Sequence, residues 1–217
     1  MSILAPRTTY SRAEFVSDAV VHVAGLVAVA VAVPVLIGIA IVLRGDLTSV
    51  VGTSIYGVTL AAMITCSALY NTIGHRRWAG LLRRLDHSAI YAKIAGTYTP
   101  FMLLPGGQGG WLLAGLWTAA LAGVGLKLAS PERLRWVGLA LYLGRGWAGL
   151  LAGDSLIAAL STPVIVLIVT GGVLYTIGVL FYLFERLPFH YTIWHVFVLA
   201  ATAVFYAAVT VQVVQSA

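Results

Sequence analysis

Long runs without a charged residue constrain this 217-residue chain more than any other feature. Val23–Leu43 continues for 21 residues, Leu47–Gly74 for 28 and Ser155–Phe184 for 30. Tyr191–Ala217 adds 27 more, with His195 as its one histidine. Each is long enough to cross a hydrocarbon core of about 30 Å as a helix. Ile94–Leu126, at 33 residues, exceeds one span, and the Pro-Gly-Gly-Gln-Gly-Gly stretch at 105–110 splits it into two. A seventh candidate covers about 136–153, with Arg145 in its middle.

The chain therefore reads as an all-α integral membrane protein, one domain built as a seven-transmembrane-helix bundle. The spans fall at about 19–43, 50–72, 88–105, 111–129, 136–153, 162–184 and 191–214. The connections between them are short, as they must be where unpaired backbone cannot face lipid. Composition agrees, with 60% of residues hydrophobic and 9% charged, against roughly 25% charged in soluble domains. That excludes a soluble enzyme, a disordered chain and a nucleic-acid-binding module. Membrane lipids are the expected partners, the cell membrane is the expected location, and no protein partner is identifiable. Cys66 is the single cysteine, so no intrachain disulfide forms. The polar start of the chain has no apolar signal core, and no cleaved signal peptide is expected.

Basic residues fix the expected orientation. The N-terminal segment and the second, fourth and sixth loops hold Arg7, Arg12, Arg76, Arg77, Arg83, Arg84, Lys127, Arg133, Arg135 and Arg186; the opposite side holds only Arg44. Such an asymmetry places the N-terminus in the cytoplasm and the C-terminus outside.

Polar side chains in the spans gather at the cytoplasmic ends. Ser67, Asn71 and His75 recur at spacing four on the second span, Asp86 and His87 open the third, and His190, Tyr191 and His195 open the seventh. Glu14, Asp18 and His22 form a further stripe leading into the first. Ionisable groups within spans are costly and mark functional sites by default. Blander roles compete: Asp86 as a helix cap, Glu14 on the solvated face of a lead-in helix, and Lys93 reaching back to the cytoplasmic headgroups. Arg145 lies deeper and calls for a partner. The Gly149–Gly153 stretch fits small-residue helix packing.

Several segments together resemble the hemolysin III family. They are Leu85-Asp-His-Ser-Ala-Ile-Tyr91, Ile94-Ala-Gly-Thr-Tyr-Thr-Pro-Phe101, Ser67-Ala-Leu-Tyr70, Leu141-Tyr-Leu-Gly with Gly146-Trp147, and Ile193-Trp-His-Val-Phe-Val-Leu199. Glu14, Asp18 and His22 resemble the family's N-terminal pattern, which more usually has Asn where Asp18 stands. The family belongs with the progestin and adipoQ receptors and, more distantly, the alkaline ceramidases. The resemblance covers essentially the whole chain and implies seven helices with the orientation given above.

It also implies a zinc ion near the cytoplasmic rim, held by three histidines, with a serine and an acid close by. Ser67 matches the serine, Asp86 the acid and His195 one histidine. Asn71 and Tyr191 stand at the other two ligand positions, and Phe205 replaces a further histidine often found later on the last span. An amide is a weak zinc ligand, and a phenol with a pKa near 10 must first lose its proton. His75, His87 and His190 are the available substitutes. The implied functions are three: a non-catalytic membrane protein of membrane homeostasis with a degenerate metal site, a zinc-dependent lipid amidase using Asp86 and Ser67, or a pore-forming cytolysin. The first is preferred, because the amidase lacks two ligands and no span carries a polar stripe through the bilayer.

Overall fold

The computed structural model describes residues 10–73, 77–104, 110–129, 142–144, 147 and 160–216, and these are helical with short connections. Six long helices are α1 (Arg12–Leu43), α2 (Leu47–Ile73), α3 (Ala79–Leu103), α4 (Gly110–Ala129), α5 (Thr162–Leu183) and α6 (His190–Gln215). In the sequence-derived numbering α5 is the sixth span and α6 the seventh. Residues 142–144 and Trp147, within the expected fifth span, are also helical. The rest of that span, Arg145, Gly149–Gly153, His75 and the loop at 105–109 lie outside the described residues.

Each boundary has a local cause. Ser11 starts α1 with a reciprocal cap: its hydroxyl accepts from the Glu14 amide at 3.2 Å, and the Glu14 carboxylate accepts from the Ser11 amide at 2.7 Å. Gly45, in the left-handed region at φ 67, turns the chain out of α1 and donates to the Ala40 carbonyl. Asp46 then opens α2 by accepting from the Ser49 amide and hydroxyl at 2.9 and 2.7 Å. Pro100 lies in the last turn of α3, which ends at Leu103. Pro163 sits in the first turn of α5, where its missing N–H costs nothing.

α1 is turned inside out relative to a soluble helix. Val16, Val20, Val23, Val27, Val31 and Val35 form one face and are each at least half exposed. Glu14, Asp18 and His22 are buried on the other face, in line with Gly25, Val29, Leu36 and Ala40. A valine stripe of this kind suits lipid, and the polar groups take the bundle interior. Five of the described helices are long and apolar enough to span a membrane. The remaining one, α3, starts nine residues before its expected span and carries Arg83, Arg84, Asp86 and Lys93.

Neighbours in sequence pack together: α1 on α2, α2 on α3, α3 on α4 and α5 on α6. α1 also packs against α6, and α3 touches α6 across the interior. Small residues permit the closest approaches. A Cβ at Gly96 would fall 2.1 Å from the Thr59 hydroxyl, so α2 and α3 meet there with no room for a methyl group. The main core joins Leu36, Tyr56, Leu60, Phe101, Val164 and Val209, all nearly or fully buried.

Candidate functional site

The starts of α1, α3 and α6 and the end of α2 meet at one end of the bundle, bringing their polar residues together. Asp18 is the hub. Its Oδ1 accepts from His195 Nδ1 at 2.6 Å, and its backbone carbonyl accepts from His22 Nδ1 at 2.8 Å. The two imidazoles lie edge to face, 4.4 Å between centroids. A carbonyl can only accept, so His22 Nδ1 carries the proton and, in the neutral ring, Nε2 is left as an acceptor. His22 Nε2 lies 3.2 Å from the Ser67 hydroxyl. Asp86, on α3, is placed close to Ser67 and His195. Asn71 donates its amide to the Ser67 carbonyl at 2.9 Å and lies 3.5 Å from His22 Nε2. Three helices thus contribute to one connected network, which α3 borders through Asp86, with Asp18, His22 and His195 all buried.

Strands of support lie just outside it. Glu14 is buried, not on a solvated face, and its second carboxylate oxygen accepts from the Phe189 amide at 2.9 Å. Phe189 takes the left-handed backbone region at φ 60, which a bulky residue rarely adopts without such fixing. Ser17 and Thr192 hydrogen-bond at 3.0 Å. These contacts tie the start of α1 to the start of α6 and set the register in which Asp18 meets His195.

The expected residues divide as follows. Ser67, Asn71, Asp86 and His195 come together. Tyr191 reaches the cluster through its ring alone, 6.1 Å from the His195 ring and 4.5 Å from that of His190. His190 is fully buried, and its Nε2 stands 3.1 Å from the Tyr10 hydroxyl. His87 faces the Tyr70 ring at 6.5 Å. His75 lies outside the described residues. Asp86 does not cap α3, which begins seven residues earlier. Asp18 and His22, which the sequence placed in a polar stripe on one face but not among the expected ligands or catalytic groups, are at the centre of the site.

Among the described residues, Asp18, His22 and His195 form a group able to hold a metal ion, each offering a ligand atom within 4.8 Å of the others. Two imidazoles with one carboxylate make a recognised zinc donor set. The positions implied by the family resemblance do not fit zinc as well. The Asn71 amide is engaged with Ser67, and the Tyr191 phenol is packed among the rings of Tyr10 and Tyr182.

A cavity of about 780 Å³ opens from this cluster into the bundle. Asp86, His22, His195, Ser67 and Asn71 line one part of it, and Ile90, Ile94, Ile168, Val198 and Leu199 are among its apolar walls. Lys93 lies along it and turns inward, away from the headgroups it was expected to reach. It is only 4% exposed and donates to the Tyr175 hydroxyl at 3.0 Å.

A family described as Haemolysin-III related matches residues 12–206. The chain is 36% identical over 200 residues to the Hemolysin-3 homolog of Bacillus subtilis (strain 168), covering 90% of this chain and 92% of that protein. It is 36% identical over 215 residues to the Hemolysin-3 of Bacillus cereus, covering 97% of each. The human monocyte to macrophage differentiation factor is 28% identical over 189 residues, covering 82% of this chain and 77% of that protein.

Proposed function

This chain belongs to the haemolysin-III related family of multi-pass cell-membrane proteins, and we propose that it serves membrane homeostasis by admitting a membrane amphiphile into its interhelical cavity. The observation that carries this reading is the cavity itself: apolar walls continuous with a buried polar cluster. Pockets of several hundred Å³ with few convergent polar groups are the usual form of small-molecule sites. The polar cluster of Asp18, His22, His195, Ser67 and Asp86 then acts as a plug that closes one end of that cavity. In this reading the family's metal position is degenerate, because Asn71 and Tyr191 replace two of its histidines. Mass spectrometry of the protein released from native membranes tests it. Retention of an amphiphile, lost when Val198→Trp fills the cavity, is the expected result; a chain that carries and exchanges no amphiphile overturns it.

A second reading is favoured by one specific observation, the His22, His195 and Asp18 donor set. A zinc ion there would supply Lewis-acid polarisation of an amide carbonyl, as in a ceramidase-like hydrolase. Asp18 would hold both rings through Nδ1, and Asp86, which lines the same cavity, would accept the proton of the attacking water. Release of fatty acid from a ceramide by the purified protein, abolished by a chelator, would place this reading first.

A further inference from the structure

Lys93 is a basic group lining this cavity that lies outside the cluster. It lies seven residues beyond Asp86 on α3, about 10 Å deeper into the bundle. Its ammonium donates to the Tyr175 hydroxyl at 3.0 Å, and that hydroxyl hydrogen-bonds Thr202 at 2.8 Å. It also faces the Tyr175 and Phe205 rings, 4.7 and 4.9 Å from their centroids. An ammonium has three N–H donors, and the Tyr175 hydroxyl takes one. No carboxylate pairs with it among the described residues. Ring faces and one phenol soften the burial of a cation without neutralising it. Lys93, Tyr175 and Phe205 all line the cavity, so an anion entering it can reach the ammonium directly.

We propose that the cavity is a site for an acidic amphiphile, whose single anionic headgroup pairs with Lys93 and whose alkyl chain lies on the apolar walls. The chemistry required is a carboxylate or a phosphate monoester on a long chain. A neutral headgroup would leave the ammonium uncompensated, and a second cation would be repelled. A short anion would forgo the walls formed by Ile90, Ile94, Ile168 and Val198. Phe205 suits this arrangement, because a ring face rather than a second basic group lies beside the ammonium. The inference rests on the reading that the cavity admits a membrane amphiphile, and it specifies the charge of that amphiphile.

The experiment measures binding to the full chain in nanodiscs of a zwitterionic lipid, using four probes. Three share one alkyl chain and end in a carboxylate, a phosphate monoester or a primary alcohol; the fourth is acetate. The expected result is that at least one acidic long-chain probe binds tenfold or more tighter than the alcohol, with acetate weaker still. The acid that binds identifies the headgroup. Lys93→Met should remove that preference and leave the alcohol's affinity within about twofold. Equal affinity for the acids and the alcohol in the unmodified protein overturns the proposal, and so does a Lys93→Met protein that keeps the preference. Because the probe comparison needs no variant, misfolding of Lys93→Met does not protect the proposal. Binding of no probe, the alcohol included, overturns the cavity reading as well, which separates the two failures.

Discussion

Asp18 and His195, 177 residues apart in the chain, are joined by a 2.6 Å hydrogen bond in the bundle interior. That bond makes the first and last helices one unit, and its meaning depends on what else shares the site. Asp18 holds His22 as well, so a single residue sets the position of two imidazoles. Asp18 stands where the related pattern usually has Asn. The added charge gives His195 an anionic partner that an amide would not.

Removing that carboxylate should be felt as a loss of stability. Asp18→Ala leaves a buried imidazole N–H without its acceptor, a cost of about 1–3 kcal/mol. Asp18→Asn keeps an acceptor and should recover part of the loss. Asp86→Ala should cost less than Asp18→Ala, because the Ser67 hydroxyl keeps His22 Nε2 as its partner at 3.2 Å, and Asp86→Asn should lie nearer the unmodified protein. Thermal unfolding in detergent checks the series, and wild-type stability in both alanine variants would mean that the network is solvated.

The turn between α1 and α2 should confer an acid-sensitive contribution. Hydrogen bonds from Thr48 and Ser49, reinforced by Arg44 at 3.3 Å, hold the Asp46 carboxyl far below the usual carboxylate range. A lowered pKa in the folded state means that the stabilisation is complete above the unfolded value, about 3.9. It is lost as the pH falls from there through the folded value. Asp46→Asn should therefore flatten the acid limb of the melting-temperature profile below about pH 4. An unchanged acid limb in this variant would refute the assignment.

Orientation is open to direct chemical test. Residues 76–85 and 127–135 should face the cytoplasm, and position 108 and the C-terminus should face outside, following the ten-to-one distribution of basic residues. In a Cys66→Ser background, Gln108→Cys should react with an impermeant maleimide added to intact cells. Reaction only after the cytoplasmic side is exposed would invert the topology.

Much of this architecture was legible in the sequence, for reasons tied to particular residues. Uncharged runs reveal helices in lipid because the bilayer imposes a minimum apolar length, and the spacing of Ser67, Asn71, Tyr191 and His195 already put polar groups at one level. What periodicity cannot supply is the neighbour. It places Asp18 and His22 on a face of α1 but does not say that α6 packs there, so their roles went unseen. The same gap explains Glu14 and Lys93. Both look like groups seeking water, yet the Phe189 amide and the Tyr175 hydroxyl give them buried partners from distant helices. The start of α3 was misplaced because Arg83, Arg84 and Asp86 end the apolar signal without ending the helix.

Metal content decides between the polar plug and the relocated zinc site. Protein purified from zinc-replete cells should carry well under one zinc per chain, because Asn71 and Tyr191 cannot serve as histidines do. Restoring both ligands, Asn71→His with Tyr191→His, should raise the content towards one. About one chelator-sensitive zinc per unmodified chain, lost in His22→Ala and in His195→Ala, would contradict it and identify Asp18, His22 and His195 as the metal site.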